Sequence, residues 1–346
     1  MQKFQELENI LKNIEGKVLL IDHAYSDLDG MASKYAWSYI LREKFSIDSD
    51  IAYSKELGHH KTQAMLKKLE SFYSKQVNKL EDLSLDDYEL IMLLDVNQSS
   101  TNLPFTEAQV AKLDYGKVAV IDHHEKKDDA EEVLFEDITT DIGATVIRTI
   151  EYMDYFKSNL LPDNEEHVML ATSLWLGYLT DVRAKGRTKR DYQALSLIIE
   201  SANIHMQQEI ERGARPELAQ RALGKALAEY QKIGPYAIAY AGEIKKEHKD
   251  IIAIIAEELL KGQGVEASIA WAMLDGKPQG SIRTEESSHL SAPKIAQWFG
   301  GNGRTNAAGF SADFGFLSDY EEEDKQTLID LVHKKIVNTI KSKEED

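Results

Sequence analysis

An apolar run that ends in one acid and two histidines limits the fold classes that this chain can adopt. Residues 118–121 are Val-Ala-Val-Ile, and Asp122, His123 and His124 follow directly. A short continuous apolar run is typical of a strand buried on both faces, as in a parallel sheet. Such a strand presents its last residues at the carboxyl edge of the sheet, where open α/β folds bind ligands. The run therefore predicts an α/β fold with polar side chains at that edge.

The same pattern occurs twice upstream. Residues 18–21 precede Asp22 and His23, and residues 90–94 precede Asp95. Apolar residues at helical spacing lie between these runs, which predicts alternating strands and helices in a doubly wound, mainly parallel sheet. Strands that each end on an acid would bring those acids together in one crevice.

A polar turn after the first strand contains His23, Asp27 and Asp29, spaced as His-x-x-x-Asp-x-Asp before a predicted helix. An Asp at a helix start is often only a cap. Capping explains one acid, but not two acids and a histidine at the end of a buried strand, so we favour a metal site. Asp181, directly after an apolar helix predicted over residues 167–179, is a further candidate ligand.

Composition limits the chemistry and the partners. The chain has no cysteine, so a metal would be held by imidazoles and carboxylates. The formal net charge of -18 argues against broad binding to long nucleic acid, but it leaves room for a short anionic substrate. The N-terminus lacks the pattern of a signal peptide, and no apolar run approaches the roughly 18 residues of a membrane span. We expect a cytoplasmic protein without a membrane partner.

The pattern changes after residue 190. Residues 191–233 contain charge-rich helical segments and predict a linker, which ends at Gly234 and Pro235. Strands and helices alternate again over residues 234–346, which predicts a smaller α/β domain. Residues 1–190 would form the catalytic domain.

The second domain contains a candidate phosphate-binding segment, the glycine-rich residues 300–309. Its glycines would let backbone N–H groups face an anion, and an arginine supplies a forked donor, although such loops are often only connections. The candidate substrate-binding residues are Arg283, Gly301, Gly303, Arg304 and Asn306.

Together these segments resemble the DHH phosphoesterase family with its DHH-associated C-terminal domain, over most of the chain. The residues similar to the four N-terminal motifs are His23, Asp27 and Asp29, then Asp95, then Asp122, His123 and His124, and finally Asp181. Residues 301–309 are similar to the Gly-Gly-Gly-His-x-x-Ala-Ala-Gly signature of the C-terminal domain. The family pattern is not followed everywhere: Tyr25 and Ser26 replace Asn-Pro, and Arg304 replaces the usual His. We interpret these changes as changes in substrate contacts.

The resemblance implies two divalent cations, usually manganese, with magnesium or cobalt as alternatives. One ion would be held by His23, Asp27 and Asp95, and the other by Asp29, Asp95, His123 and Asp181, so that Asp95 bridges. Asp122 would orient the ligands, and His124 would face the scissile phosphate. The active site would lie in the cleft between the domains.

The function that the resemblance implies is a metal-dependent phosphodiesterase of the nanoRNase or oligoribonuclease type. This exonuclease would hydrolyse short single-stranded RNA or DNA oligonucleotides to mononucleotides with a water molecule activated by two metals. The alternatives are a phosphatase of 3'-phosphoadenosine 5'-phosphate and a phosphodiesterase of linear or cyclic dinucleotides. A non-catalytic nucleotide-binding regulatory module is disfavoured because every expected acid is present. The oligomeric state, monomer or homodimer, stays open.

Overall fold

The computed structural model describes residues 1–55, 57, 60–72, 77–185, 187–212, 217–245, 248–285, 287–304, 306–315 and 320–345. The chain forms two compact units, Met1–Ala214 and Arg215–Asp346. Each unit is built on its own sheet. The two-unit α/β architecture confirms the predicted fold class.

The first unit is built on a six-stranded parallel sheet. Its strands are β1 Lys17–Ile21, β2 Ser49–Tyr53, β3 Asn78–Lys79, β4 Tyr88–Leu94, β5 Val118–Asp122 and β6 Phe135–Ile138. Their spatial order is β3-β2-β1-β4-β5-β6, and every neighbouring pair runs parallel. The order reverses between β1 and β4, which is the switch point at which doubly wound sheets bind ligands.

Helices cover one face of this sheet more fully than the other. The helices are α1 Gln2–Leu11, α2 Leu28–Ile40, α3 His60–Phe72, α4 Glu107–Val110, α5 Thr145–Tyr155, α6 Glu165–Lys185, α7 Lys189–Leu195 and α8 Ile204–Arg212. Helix α2 is buried along its whole length because it packs on the sheet and also contacts α5 and α6. The opposite face is covered by α4, short turns and loops around Leu80 and Phe105. Within the described ranges, no helix is both long enough and apolar enough to cross a membrane.

The second unit is built on a mixed six-stranded sheet. Its strands are β7 Gln231–Ile233, β8 Tyr236–Ile244, β9 Ala267–Leu274, β10 Lys277–Thr284, β11 Asn302–Arg304 and β12 Ala307–Ser311, in the order β11-β12-β10-β9-β8-β7. Among these described strands, β8 and β9 run parallel and the other neighbouring pairs are antiparallel. The helices are α9 Glu217–Glu229, α10 Asp250–Leu260, α11 Ala292–Gln297 and α12 Lys325–Glu345. Helices α9 and α10 line one core of this unit, and α11 and α12 line the other.

The segment 191–233, predicted as a helical linker, is shared by the two units. Helix α8 packs against α3 and α6 of the first unit and buries Ile210. Helix α9 packs against β8 and α10 of the second unit and buries Leu223, and residues 231–233 form the edge strand β7. Each helix has an apolar side that joins a different core, in agreement with the division into Met1–Ala214 and Arg215–Asp346. The predicted domain bounds at residues 190 and 233 stay a prediction.

The candidate phosphate-binding segment, predicted as a glycine-rich loop, is a β-hairpin formed by β11 and β12. Gly303 pairs with Ala308 and Asn302 with Gly309. A Cβ atom at Gly303 would lie 2.3 Å from Cα of Ala308, and one at Gly301 would lie 2.1 Å from the carbonyl oxygen of Gly309. These glycines therefore allow the strands to approach closely, and neither Gly301 nor Gly303 has the positive φ of an anion-binding nest. Phosphate binding by this hairpin stays a prediction.

Candidate metal centre

Most residues predicted as metal ligands lie where neighbouring strands of the first unit end. His23 follows β1, Asp95 follows β4 and His123 follows β5. These strands are adjacent and parallel, so their carboxyl ends meet at the switch point of the sheet. Asp27 adds a side chain from the start of α2, and Asp181 adds one from α6.

Asp95 lies at the centre of this edge and has a strained backbone. Its φ angle is 62°, in the left-handed region that residues other than glycine rarely adopt. Its N–H donates to the carbonyl oxygen of Ile121 at 3.0 Å, and its Oδ1 accepts a hydrogen bond from the Thr145 hydroxyl at 2.9 Å. Strain of this kind persists where the surroundings hold it, commonly at functional sites.

The first ligand group consists of Asp95, His123, His124 and Asp181. One ligand atom from each residue lies within 4.8 Å of all the others. Nε2 of His123 lies 3.4 Å from Oδ1 of Asp95 and 3.1 Å from Oδ2 of Asp181. His123 and Asp95 are buried, whereas the Asp181 side chain is 24% exposed. The group is compact enough to surround one cation.

The second ligand group consists of His23, Asp27 and Asp95, again with ligand atoms within 4.8 Å of one another. Nε2 of His23 lies 3.6 Å from Oδ2 of Asp27 and 3.7 Å from Oδ2 of Asp95. Asp95 thus belongs to both groups, with Oδ1 toward His123 and Oδ2 toward His23. This arrangement agrees with the bridging position that the family resemblance implies.

The two acids at the start of α2 also cap helices. Oδ1 of Asp27 accepts backbone hydrogen bonds of 2.9 and 3.1 Å from the first turn of α2. Asp29 accepts backbone hydrogen bonds from Thr145 at 2.7 Å and Val146 at 2.8 Å, at the start of α5. Its Oδ2 lies 3.9 Å from Nε2 of His123, beside the first ligand group. Asp27 and Asp29 therefore cap helices and also lie in or beside the ligand groups.

Asp181 lies within α6, and the prediction that this helix ends near residue 179 was wrong. The helix continues to Lys185. A Cβ atom at Gly177 would lie 3.1 Å from Cα of Asp29 and 3.1 Å from the carbonyl oxygen of Leu28. Gly177 is thus a packing residue that lets α6 approach the start of α2. Asp181 follows one turn later on the same face of the helix.

Asp122 orients His124. Its Oδ1 accepts hydrogen bonds from Nδ1 of His124 at 2.8 Å and from the backbone N–H of His123 at 2.8 Å, and its Oδ2 accepts one from Asn97 at 2.8 Å. Burial alone would raise the pKa of Asp122, but the hydrogen bond and charge of His124 hold this pKa below its ordinary value. An ionised Asp122 can only accept, so Nδ1 of His124 carries the proton of this hydrogen bond.

The electrostatics reflect the crowding of acids. Burial, followed by the charges of Asp95 and Asp181, raises the pKa of Asp29 well above its ordinary value. Burial also raises the pKa of Asp95, in spite of its hydrogen bond with His123. Burial would lower the pKa of His123, but Asp181 and Asp95 raise it to about 11. A divalent cation would relieve the repulsion among the acids and would take the place of the proton that they stabilise on His123.

The donor set fits divalent cations. It consists of carboxylate oxygens and imidazole nitrogens, without thiolates because the chain has no cysteine, and these ligands suit manganese and magnesium. Asp29 and Asp95 are almost fully buried, a costly position for acids that are not paired or bound to a metal. Every predicted metal ligand lies in or beside the two ligand groups: His23, Asp27, Asp29, Asp95, His123 and Asp181.

A buried charge pair that was not predicted from the sequence lies next to the first motif. Nζ of Lys34 donates to Oδ1 of Asp22 at 2.7 Å, to the Ser26 hydroxyl at 2.9 Å and to the carbonyl oxygen of Ala52 at 2.9 Å. Ser26 also donates to Asp22. Ser26 is therefore an internal support of the ligand loop, and our interpretation of it as a substrate contact was wrong. Lys34 is the single lysine or arginine of the mainly apolar helix α2, and this was the available signal.

Tyr25, the other departure from the family pattern, has a different environment. It is 43% exposed, and Nζ of Lys55 lies 4.8 Å from the centroid of its ring. Its backbone N–H donates to Nδ1 of His23 at 3.3 Å, which leaves Nε2 of His23 facing Asp95. Tyr25 is thus exposed beside the predicted ligand His23, and a substrate contact by Tyr25 stays a prediction.

The predicted substrate-binding residues lie in the second unit. Arg283 on β10 donates to the Ser281 hydroxyl at 2.9 Å, and its Nε lies 3.6 Å from a carboxylate oxygen of Glu257. Arg304 ends β11, but its side chain lies outside the part of the chain that the structure describes. Asn306 follows in the turn of the hairpin. Substrate binding by these residues stays a prediction.

Acids and imidazoles at the switch point of a parallel sheet are typical of metal-binding α/β proteins. Residues 17–177 match the profile of the DHH family, N-terminal domain. Over these residues the chain is similar to the DHH family.

Three relatives illustrate the similarity. An uncharacterized protein of Methanocaldococcus jannaschii is 25% identical over 350 residues, which span 100% of this chain and 68% of that protein. The fold is similar to that of an exopolyphosphatase-related protein from Bacteroides fragilis, with a TM-score of 0.72, 14% identity and 96% coverage of both chains. It is also similar to RecJ from Thermus thermophilus in complex with Mn²⁺, with a TM-score of 0.51, 16% identity and coverage of 97% of this chain and 54% of that one.

Proposed function

We propose that this protein is a manganese-dependent phosphodiesterase that hydrolyses short oligonucleotides to mononucleotides. The observation that carries the proposal is the pair of ligand groups that share Asp95 at the switch point of the sheet. The similarity of residues 17–177 to the DHH family and the Mn²⁺ bound by the similarly folded RecJ support a phosphoester-cleaving metal site.

The residues of the cluster would bind two cations. His23, Asp27 and Asp95 would hold one cation, and Asp95, His123 and Asp181, with Asp29 beside them, would hold the other. Cations bound there would make a water molecule acidic enough to attack phosphorus near neutral pH and would offset the charge that develops on the phosphoryl group.

His124 would contact the substrate, and Asp122 would hold His124 in place. Asp122 holds Nδ1 of His124, so Nε2 is the nitrogen that would contact an oxygen of the scissile phosphate. Arg283, Gly301, Gly303, Arg304 and Asn306 of the second unit would bind the rest of the substrate. The net charge of -18 favours a short substrate over a long nucleic acid.

The test is hydrolysis of RNAs of two to five nucleotides with Mn²⁺, followed by chromatography of the products. We expect mononucleotides from the wild-type protein and a loss of about 100-fold or more in Asp95→Asn, the scale on which a single electrostatic group acts. Asp141→Asn is the matched control because the Asp141 side chain is exposed and pairs with Arg190 away from the cluster.

The substrate panel separates the remaining candidates. Cleavage of 3'-phosphoadenosine 5'-phosphate or of cyclic dinucleotides, with short RNA left intact, would replace the oligonucleotide assignment but keep the chemistry. Activity that survives both chelation and Asp95→Asn would contradict the proposed chemistry itself.

A further inference from the structure

Thr145, the first residue of α5, contacts two predicted metal ligands at once. It is fully buried. Its hydroxyl donates to Oδ1 of Asp95 at 2.9 Å, and its backbone N–H donates to Oδ2 of Asp29 at 2.7 Å. We propose that Thr145 is a positioning residue of the metal centre, whose hydroxyl sets the orientation of the shared carboxylate Asp95. This inference rests on the proposed function, because it assumes that the cluster binds metal.

The orientation of the Asp95 carboxylate matters because its two oxygens face different groups. Oδ1 lies toward His123, and Oδ2 lies toward His23. The last torsion of an aspartate is broad, so the backbone alone does not fix the plane of the carboxylate. A donor on Oδ1 fixes that plane and still leaves a lone pair on the same oxygen for a cation.

The position of Thr145 at the start of its helix frees the hydroxyl for this contact. Inside a helix, a buried Thr or Ser hydroxyl commonly donates to a carbonyl oxygen four residues back. Thr172 and Ser173 of α6, both buried, do this toward Val168 and Met169. Thr145 has no preceding helical turn, and its hydroxyl donates to Asp95 instead.

A matched control lies one turn further along the same helix. Thr149 is also fully buried, but its hydroxyl lies 3.5 Å from the Ser33 hydroxyl and touches no predicted ligand. Thr→Val is nearly isosteric at both positions. It removes the hydroxyl and leaves the backbone N–H groups that bind Asp29.

The experiment measures Mn²⁺ binding without substrate, by the electron paramagnetic resonance signal of free Mn²⁺ during titration of the 346-residue chain. We expect Thr145→Val to weaken Mn²⁺ binding by about 10–100-fold, as for other residues that orient metal ligands. Thr145→Ser, which keeps a hydroxyl, should restore binding, and Thr149→Val should bind like the wild type. Thermal unfolding in EDTA checks that each variant is folded, and Thr145→Ala carries the test if the Val variant is not.

The outcomes separate the inference from the proposed function. Equal Mn²⁺ affinity of the wild type and Thr145→Val overturns the positioning role and leaves the metal centre in place. Equal weakening by Thr145→Val and Thr149→Val also overturns it, because any buried hydroxyl of α5 would then have the same effect. A wild-type chain that takes up no Mn²⁺ overturns the proposed function and this inference with it.

Discussion

Lys34 and Asp22 support the first motif without belonging to either ligand group. Both side chains are fully buried, and the ammonium group donates to Asp22 and to Ser26. Burial lowers the pKa of Lys34, and the charge of Asp22 acts against that effect. Asp22 follows β1 directly and Lys34 lies in α2, so the pair connects the two elements that flank the loop with His23 and Asp27.

Replacement of Lys34 by Met tests this support. The substitution leaves the Asp22 carboxylate buried without its cation, and breaking a buried ion pair in this way costs about 3–5 kcal/mol. We expect that decrease in the free energy of unfolding, measured by urea denaturation in EDTA. Lys112→Met, at an exposed lysine, should stay within about 0.5 kcal/mol of the wild type. Wild-type stability of Lys34→Met would show that the pair does not support the fold.

At the scale of elements, the contact between α6 and the start of α2 brings Asp181 to the cluster. Gly177 makes this contact possible, since a side chain there would meet the backbone of Leu28 and Asp29. The helix itself would gain from alanine at this position, because glycine lowers helix stability by about 1 kcal/mol.

Two glycine-to-alanine substitutions should therefore have opposite effects. In Gly177→Ala the new Cβ would lie 2.9 Å from Cγ1 of Val146. We expect a net loss of about 1–3 kcal/mol in unfolding free energy from overpacking, and weaker Mn²⁺ binding because Asp181 is displaced. A Cβ atom at Gly224 of α9 would meet no atom of the described residues within 4 Å, so Gly224→Ala should stabilise by about 0.5–1 kcal/mol. Stabilisation by both substitutions would contradict the packing role of Gly177.

The strands that were predicted and those that were missed differ in how strongly their own residues favour a strand. β1, β4 and β5 were predictable because each is a short apolar run that ends in polar residues, which is typical of a strand buried on both faces. β3, β6 and β7 are short and contain charged residues, so pairing with a neighbouring strand defines them more than their own sequence does. The hairpin of β11 and β12 was missed for a related reason, since its glycines serve a contact between strands that sequence alone does not show.

At the scale of the whole molecule, the candidate site collects residues from position 23 to position 181. Their polar types and their places after strands made them predictable, and the chain order matched the family. The residues that hold them were not predictable in the same way. Thr145 and Lys34 act through hydrogen bonds to residues that are distant in sequence. Which carboxylate oxygen each of them contacts depends on the tertiary structure and cannot be read from the sequence.

The central claim is that two cations share Asp95, and anomalous X-ray scattering from crystals grown with Mn²⁺ tests it most directly. We expect two manganese peaks on opposite sides of the Asp95 carboxylate, one beside His23 and Asp27 and the other beside His123 and Asp181. A single peak, or peaks away from Asp95, would contradict the shared metal centre and the hydrolysis proposed from it.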